Sequence, residues 1–301
     1  MSLSREASME DEPKDGRKKA LKDIASATID AMEHGSYLQY DLKGPLATSK
    51  QNTRFYAPES LLSTWGSSSR PQRDSARVSL LEISTLEGAR ILANEHAGAS
   101  PRPKIGVLNF ASAKKPGGGF LNGAQAQEES IARSSTLYPT LMTRVAQEFY
   151  TLHNRDPKGG YYSHAMIYSP GVLVLRDDQG GWLEPLTIDV LTSAAVNAGV
   201  VRQTLKGRVA GPAEEERIAR VMKERMGRIL YLFESHGARH VVLGSFGTGV
   251  FRNKVETVAR IWAELLLEDN SRFRSSFDHV MFAILGQETF DEFEDVFSLY
   301  S

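Results

Sequence analysis

The chain contains no cysteine among its 301 residues. Disulfides, thiolate zinc sites and cysteine nucleophiles are therefore excluded. The sequence has no apolar run long enough to span a bilayer and no signal peptide at its start, so we expect an intracellular protein, cytoplasmic, nuclear or both. An excess of either charge is also lacking, since 36 basic residues face 37 acidic ones. That balance does not indicate bulk binding to nucleic acid or to an anionic membrane, although it is compatible with a local basic patch.

The composition is that of a globular protein, because 41% of the residues are hydrophobic and 24% are charged. Strand-like and helical hydrophobic patterns alternate along the chain. The predicted strands cover residues 78–83, 104–110, 165–175 with a break at Pro170, 186–191, 239–245 and 279–285. The predicted helices cover 18–34, 84–94, 136–153, 212–236, 253–268 and 289–297, and the stretch from 37 to 76 is predicted to be irregular. This alternation favours an α/β fold with a largely parallel sheet.

Two glycine-rich segments follow predicted strands, at the edge where α/β folds bind ligands. The first contains Gly117, Gly118 and Gly119 and leads to the triplet Gln127, Glu128 and Glu129. The second is the run Ser245, Phe246, Gly247, Thr248, Gly249, Val250 and Phe251. It is neither a dinucleotide-binding fingerprint, since Arg252 replaces the third glycine, nor a P-loop. A tight turn without a ligand would explain the second segment alone, whereas two such loops at one sheet edge favour anion binding by backbone N–H groups.

The two adjacent glutamates cannot act symmetrically if they lie on a helix, because successive side chains point about 100° apart. One is expected to orient a sugar and the other to transfer a proton, whereas the alternative is a pair of solvated surface glutamates. Asn109 lies at the end of a buried strand, and its amide needs partners there. It either ties the loops together or contacts a ligand. The seven histidines are interpreted as ordinary core or surface residues, and we predict neither a metal nor a cofactor.

This pattern, in which a triple glycine is followed by seven residues and then Gln-Glu-Glu, resembles the signature of the poly(ADP-ribose) glycohydrolases, most closely that of the microbial type. These enzymes have the macrodomain fold. The N-terminal helix, the 167–170 segment with Arg176 downstream, and the 194–199 segment are also similar to that family. The resemblance implies a macrodomain-like three-layer α/β/α sandwich with a mixed, largely parallel sheet and an N-terminal helical extension. We predict a disordered tail at residues 1–17, a helical and irregular extension at 18–76, and a macrodomain-like catalytic domain at 77–301.

The same resemblance implies the activity and the roles of the residues. It predicts hydrolysis of ribose–ribose O-glycosidic bonds in poly(ADP-ribose), mainly from the chain end, with release of ADP-ribose. Glu129 would be the acid/base, Glu128 would bind a ribose hydroxyl, the second loop would bind the diphosphate, and Phe251 would pack against the ribose. The expected ligand-binding residues are Asn109, Gly117, Gly118, Gly119, Gln127, Ser245, Phe246, Gly247, Thr248, Gly249, Val250 and Phe251.

Poly(ADP-ribose), ADP-ribose and ADP-ribosylated proteins are therefore the expected partners, without a membrane and without direct sequence-specific nucleic-acid binding. Two alternatives stay open at this point. The first alternative is a mono-ADP-ribosyl hydrolase acting on modified protein or nucleic acid. The second is a non-catalytic ADP-ribose reader. The intact glutamate pair argues against the reader.

Overall fold

The computed structural model describes residues 14–69, 73–155 and 159–300. The helices are α1 (Lys14–His34), α2 (Lys43–Asn52), α3 (Thr85–Glu95), α4 (Gln127–Ser134), α5 (Leu137–Leu141), α6 (Arg144–Asn154), α7 (Ala198–Gln203), α8 (Leu205–Ala210), α9 (Pro212–Ser235), α10 (Val255–Leu266) and α11 (Gln287–Ser298). The strands are β1 (Ser36–Tyr37), β2 (Tyr40–Asp41), β3 (Arg54–Tyr56), β4 (Arg77–Leu81), β5 (Ile105–Phe110), β6 (Met166–Arg176), β7 (Trp182–Ser193), β8 (His240–Leu243) and β9 (His279–Ala283). Short 3₁₀ helices cover Leu61–Ser67 and Phe120–Asn122. None of the described helices is long and apolar enough to cross a membrane.

Seven strands form one mixed sheet in the order β3-β6-β7-β5-β8-β9-β4. The four neighbouring pairs from β7 to β4 are parallel, whereas β3 with β6 and β6 with β7 are antiparallel. The predicted mixed, largely parallel sheet is therefore confirmed. Strand β3 comes from the stretch that the sequence assigned to the N-terminal extension, so this stretch contributes an edge strand as well as helices.

Helices cover both faces of the sheet, which gives the predicted α/β/α layers. Adjacent residues on a strand face opposite sides. Accordingly, Val107 of β5 packs in a core cluster with residues of α3 to α6, while Leu108 packs in a second cluster with residues of α9 to α11. Trp262 and Phe233 are among the largest fully buried side chains of the second cluster.

Helix α1 packs against the back of α4 and against the 3₁₀ turn that follows the first glycine segment. The buried hydroxyl of Thr28 joins three elements: it donates to the backbone carbonyl of Arg133 in α4 (2.8 Å) and accepts from Nε of Arg176 in β6 (2.8 Å). Because α1 begins at Lys14, it includes the last four residues of the predicted tail, and residues 1–13 lie outside the described residues. The division of the chain at residue 76 stays a prediction.

Three local differences from the sequence prediction have simple causes. The irregular stretch contains α2, because Pro45 falls in its first turn, where a backbone N–H has no helical partner and proline is tolerated. Pro170 does not end β6 but lies at a register shift between Ser169 and Val172. The single helix predicted at 136–153 is divided into α5 and α6, because Thr143 caps the amino-terminus of α6 and accepts a hydrogen bond from the N–H of Ala146 (3.3 Å).

One fully buried arginine connects α9 to the carboxyl-terminal edge of the sheet. Arg225 donates from Nη1 to the carbonyl of Ala194 (2.8 Å) and from Nη2 to the carbonyl of Tyr161 (2.9 Å). Its Nε also lies 3.4 Å from Nδ1 of His164. Burial and the Arg225 charge lower the pKa of His164 to about 3, so the imidazole stays neutral and accepts this contact. Arg225 therefore fixes the segment before β6 to the residues that follow β7.

We expect Arg225→Met to lower the free energy of unfolding by at least about 3 kcal/mol, because it preserves much of the buried volume but leaves several carbonyls without donors. Urea denaturation of the purified variant measures the loss. Arg220→Met, on the exposed face of the same helix, is the matched control and is expected to change stability by no more than about 0.5 kcal/mol. Equal stability of both variants would contradict this role of Arg225.

Candidate active site

The two glycine segments lie next to each other at the carboxyl-terminal edge of the sheet. Strand β5 delivers the first segment after Phe110, and its parallel neighbour β8 delivers the second after Leu243. Helix α4 follows the first segment, and α10 follows the second. The predicted site residues are thus brought to one edge by two adjacent strands.

Helix α4 presents the glutamate pair in its first turn, where unpaired N–H groups and the helix dipole favour carboxylates. Glu128 and Glu129 are both buried, with 3% and 9% of their surfaces exposed. Both carboxylate oxygens of Glu128 are occupied: Oε2 accepts from the N–H of Ser112 (2.6 Å) and Oε1 accepts from Nδ2 of Asn109 (3.4 Å). Glu128 is therefore held from two sides.

Glu129 is held from one side. Its Oε1 accepts a hydrogen bond from the backbone N–H of Gly119 at 2.8 Å. Its Oε2 accepts no hydrogen bond from any residue that the structure describes. The adjacent carboxylates thus differ in their environments, with one fixed and one retaining an available oxygen.

The electrostatics of the pair favour retention of a proton. Burial raises the pKa of Glu128 to about 8, and the nearby negative charge of Glu129 acts in the same direction. The hydrogen bonds from Ser112, Asn109 and Gly117 oppose the shift without cancelling it. With its pKa raised in this way, the carboxyl of Glu128 retains a proton at neutral pH. General-acid catalysis requires such a proton.

Gln127 fixes α4 to the sheet. Its Nε2 donates to the carbonyl of Leu108 (2.7 Å) and to Oγ1 of Thr85 (3.1 Å), and its Oε1 accepts from the N–H of Phe110 (2.8 Å). The sequence analysis placed this residue among the ligand-binding set. Its amide makes three hydrogen bonds within the protein, which place the glutamates, and a direct contact of Gln127 with a ligand stays a prediction.

Asn109 is completely buried near the end of β5, next to the glutamate pair. Its Nδ2 donates to Glu128 and, at 3.1 Å, to Oγ1 of Thr192 on the neighbouring strand β7. Its Oδ1 accepts no hydrogen bond within the described residues. Of the two roles left open by the sequence, the observed contacts support the one that ties elements together.

The first glycine segment closes on the carboxylates. Gly118 has a φ of +61°, and a Cβ built there would lie 2.2 Å from Oε1 of Glu129. The N–H of the next residue, Gly119, is the donor to that same oxygen. A glycine is required at 118 both for the left-handed backbone and for the close approach. A direct contact of Gly117, Gly118 or Gly119 with a ligand stays a prediction.

The second glycine segment leaves donors available. The N–H groups of three consecutive residues, Gly249, Val250 and Phe251, donate to no group in the described part of the chain. Consecutive free N–H groups form a concave site for an anion. Val250 is 80% exposed, and a Cβ at Gly249 would meet no atom within 4 Å, so this side of the loop is open.

The other side of this loop is packed against the protein. A Cβ at Gly247, where φ is +77°, would lie 2.3 Å from Cβ of Ala195 and 2.8 Å from Nδ2 of Asn253. The amide of Asn253 donates to the carbonyls of Gly247 (2.9 Å) and Val196 (2.7 Å). Packing therefore requires a glycine at 247, and a direct contact of Gly247 with a ligand stays a prediction. Asn253 was not singled out from the sequence, although its position after a glycine loop is typical of a bracing amide.

The other predicted residues of the loop are also partly packed against the protein and partly exposed. Phe246 is fully buried and packs edge-on against Phe110, with ring centroids 5.8 Å apart, so its side chain belongs to the core. Ser245 and Thr248 are partly exposed and share a hydrogen bond from the Thr248 hydroxyl to the Ser245 carbonyl (3.0 Å). Phe251 is partly buried, and its ring lies 5.9 Å from that of Tyr162.

Two further contributors to the site were not identified from the sequence. Ser112 acts through its backbone N–H, which no side-chain pattern reveals, and Tyr162 becomes a neighbour of Phe251 only through the fold. Among the described residues, no group of three or more histidine, aspartate or glutamate side chains is placed to hold a metal ion.

The comparisons with known proteins agree with this geometry. Residues 25–177 match the family described as microbial-type PARG, catalytic domain. The poly(ADP-ribose) glycohydrolase of Thermomonospora curvata is 37% identical, with a TM-score of 0.81, and the match covers 94% of this chain and 100% of that one. No curated protein sequence matches the chain at a significant level.

Two of the similar structures contain ligands. The T. curvata enzyme bound to the inhibitor ADP-HPD is 37% identical, with a TM-score of 0.79 and coverage of 92% of this chain and 99% of that one. The poly(ADP-ribose) glycohydrolase of Deinococcus radiodurans in complex with ADP-ribose is 35% identical, with a TM-score of 0.75 and coverage of 87% and 100%. The chain therefore belongs to the microbial-type poly(ADP-ribose) glycohydrolase family.

Proposed function

We propose that this protein is a poly(ADP-ribose) glycohydrolase that hydrolyses ribose–ribose O-glycosidic bonds, mainly from the chain end, and releases ADP-ribose. The observation that carries the proposal is the unequal pair of carboxylates. Glu128 has both oxygens occupied and a pKa raised to about 8 by burial, whereas Glu129 has one oxygen that accepts no hydrogen bond from the described residues. Membership of the family and the ADP-ribose complex of a relative support the substrate class.

The proposed mechanism uses Glu129 twice. As the bond between the ribose anomeric carbon and the 2′-oxygen breaks, Glu129 gives its proton to that oxygen and an oxocarbenium-like ribose forms. Glu129 then accepts a proton from the water that attacks the anomeric carbon, which restores the starting state. Glu128 is fixed by Ser112 and Asn109 and orients a ribose hydroxyl.

The second glycine loop holds the diphosphate in this mechanism. Three consecutive N–H groups at residues 249–251 supply hydrogen bonds without a cationic side chain. The start of α10 follows this loop, and its dipole adds a favourable potential for an anion. Phe251, the last of the three residues, then places its ring beside the ribose that is cleaved.

Preference for the chain end is supported by the position of α1. A Cβ at Gly123, just after the 3₁₀ turn, would lie 2.6 Å from the backbone oxygen of Lys18, so α1 closely covers this side of the first loop. A polymer unit with neighbours on both sides needs an exit at both ends of the site. Because α1 closes one side of the site, the site favours the terminal unit of the polymer over an internal one.

We expect Glu129→Gln to lower kcat at least about 10²-fold while ADP-ribose affinity changes little, because the amide keeps the shape but cannot transfer a proton. Turnover of purified poly(ADP-ribose) and calorimetry with ADP-ribose measure the two quantities. Glu87→Gln, in the exposed first turn of the neighbouring helix α3, is the matched control and should behave as wild type. Near-normal turnover by Glu129→Gln would falsify the assignment.

Gly249→Val is expected to weaken ADP-ribose binding at least about tenfold, or about 1.4 kcal/mol, without loss of stability. The new side chain would enter the open space beside the free N–H groups, since nothing lies within 4 Å of a Cβ there. Gly98→Val, at another position with nothing within 4 Å, is the control. Calorimetry that gives unchanged affinity in a folded Gly249→Val protein would remove the loop from the binding site. Gly247→Val is unsuitable because it collides with Ala195 and Asn253.

Cutting from the chain end predicts the order in which products appear. At low conversion the products should be almost entirely free ADP-ribose, with gradual shortening of the polymer, as seen on sequencing-type gels. Oligomers that appear before the monomer would contradict a closed site. A parallel assay on mono-ADP-ribosylated protein tests the alternative hydrolase, and faster turnover of that substrate than of polymer would favour it.

A further inference from the structure

The end of the second glycine loop has an unusual backbone. Arg252, the residue after Phe251, has a φ of +57°, a conformation that non-glycine residues rarely adopt. Such a conformation persists only where the surrounding structure holds it. The backbone carbonyl of Phe251 accepts a hydrogen bond from the N–H of Gly199 at the start of α7 (3.1 Å). The loop therefore leaves the site through a fixed and strained turn.

The contact that holds this turn comes from Arg202, on the last part of α7. Its Nη1 donates to the backbone carbonyl of Arg252 at 2.7 Å. Its other two nitrogens bind both carboxylate oxygens of Glu215 on α9, with Nε 2.6 Å from Oε1 and Nη2 3.0 Å from Oε2. A bidentate pair of this kind fixes the plane of the guanidinium. The hydrogen bond from Arg202 lowers the pKa of Glu215, so the carboxylate is charged at neutral pH.

Among the described residues, neither Arg202 nor Glu215 forms a hydrogen bond with Glu128 or Glu129. Arg202 uses its donors on Glu215 and on a backbone carbonyl, and both side chains are about one-third exposed. The position that Arg202 holds is the carbonyl of Arg252, in the peptide between Arg252 and Asn253, one residue beyond Phe251. The ring of Phe251 is supported on its other side by Tyr162, whose backbone also has a positive φ of +51°.

We propose that Arg202, oriented by Glu215, is a positioning residue that sets the place of the Phe251 ring beside the substrate ribose. This inference rests on the proposed function, because it assigns a ribose to the space next to Phe251. Loss of the bidentate pair should let the Arg252 turn relax and move the ring. A displacement of about 1 Å in a positioning group is enough to reduce turnover strongly, whereas binding through the backbone N–H groups depends on it less.

A double-mutant cycle tests the inference. Arg202→Gln and Phe251→Ala are expected each to lower kcat on poly(ADP-ribose) about tenfold or more, with KM within about threefold of wild type. The double variant should be no slower than Phe251→Ala alone, because Arg202 acts through that ring. Arg202→Lys should fail to restore kcat, since lysine keeps the charge but cannot form the bidentate pair.

Matched controls separate this role from a general effect of charge or stability. Lys254→Gln removes another cation beside Glu215, 3.4 Å from its Oε2, that does not contact the Arg252 carbonyl, and it should leave kcat near wild type. Urea denaturation of all variants checks that they are folded under assay conditions. A merely structural role of Arg202 would lower stability in both backgrounds and would not depend on Phe251.

The possible failures are distinguishable. Losses that multiply in the double variant overturn the positioning role, and so does normal turnover by either single variant, while the assignment of Glu129 is unaffected. A wild-type protein that neither binds ADP-ribose nor shortens the polymer overturns the proposed function, and this inference with it.

Discussion

Burial of two adjacent carboxylates at the end of β5 is the constraint that shapes the surrounding structure. Buried charges are costly unless hydrogen bonds or opposite charges compensate them. Here the compensation comes from the helix dipole of α4, the amide of Asn109 and the backbone N–H groups of Ser112 and Gly119. Backbone donors can reach both carboxylates only if the loop curls tightly around them, which is why a Cβ at Gly118 would collide with Glu129.

In the triplet Gln127, Glu128 and Glu129, each side chain is held by fewer hydrogen bonds within the protein than the one before it. The amide of Gln127 has all its contacts within the protein and fixes the start of α4 to β5 and α3. Glu128 is held at both oxygens, and Glu129 at one. A group that transfers a proton needs an accessible oxygen and a fixed position at the same time. Three consecutive residues on a helix provide this, because the first two fix the backbone from which the third projects.

Much of the fold was predictable because hydrophobic periodicity and strand–helix alternation are properties of the sequence alone. The largely parallel sheet and the two loops at one edge follow from them, whereas the three-layer sandwich and the mixed sheet were implied by the resemblance to the glycohydrolase family. The glutamate triplet was predictable from its spacing to the glycines. Helix α2 and the intact β6 were not, because Pro45 and Pro170 are helix and strand breakers whose tolerance depends on the first turn of a helix and on a register shift.

Contacts made by the backbone, or between residues far apart in the sequence, could also not be predicted from the sequence. The roles of Ser112, which acts through its N–H, and of Arg225, which binds carbonyls more than 30 residues away, depend on the folded chain. The same limit applies to Gly247. Its sequence context indicates a ligand loop, but only the fold shows that Ala195 and Asn253 occupy the space beside it.

In the proposed mechanism the two glycine loops have opposite electrostatic tasks, and neither task uses a cationic side chain. The first loop directs N–H groups at the carboxylates of the protein itself, whereas the second keeps three N–H groups available for an anion. A lysine or arginine close enough to hold a diphosphate beside Glu129 would also stabilise the ionised glutamates and lower the pKa of Glu128. Glu128 would then lose its proton at neutral pH. Binding the diphosphate through backbone dipoles avoids this conflict, because dipoles hold an anion at short range with a weaker effect on the neighbouring carboxyl groups. In the proposed mechanism the glycines therefore serve the chemistry of the glutamates as well as the binding of the substrate.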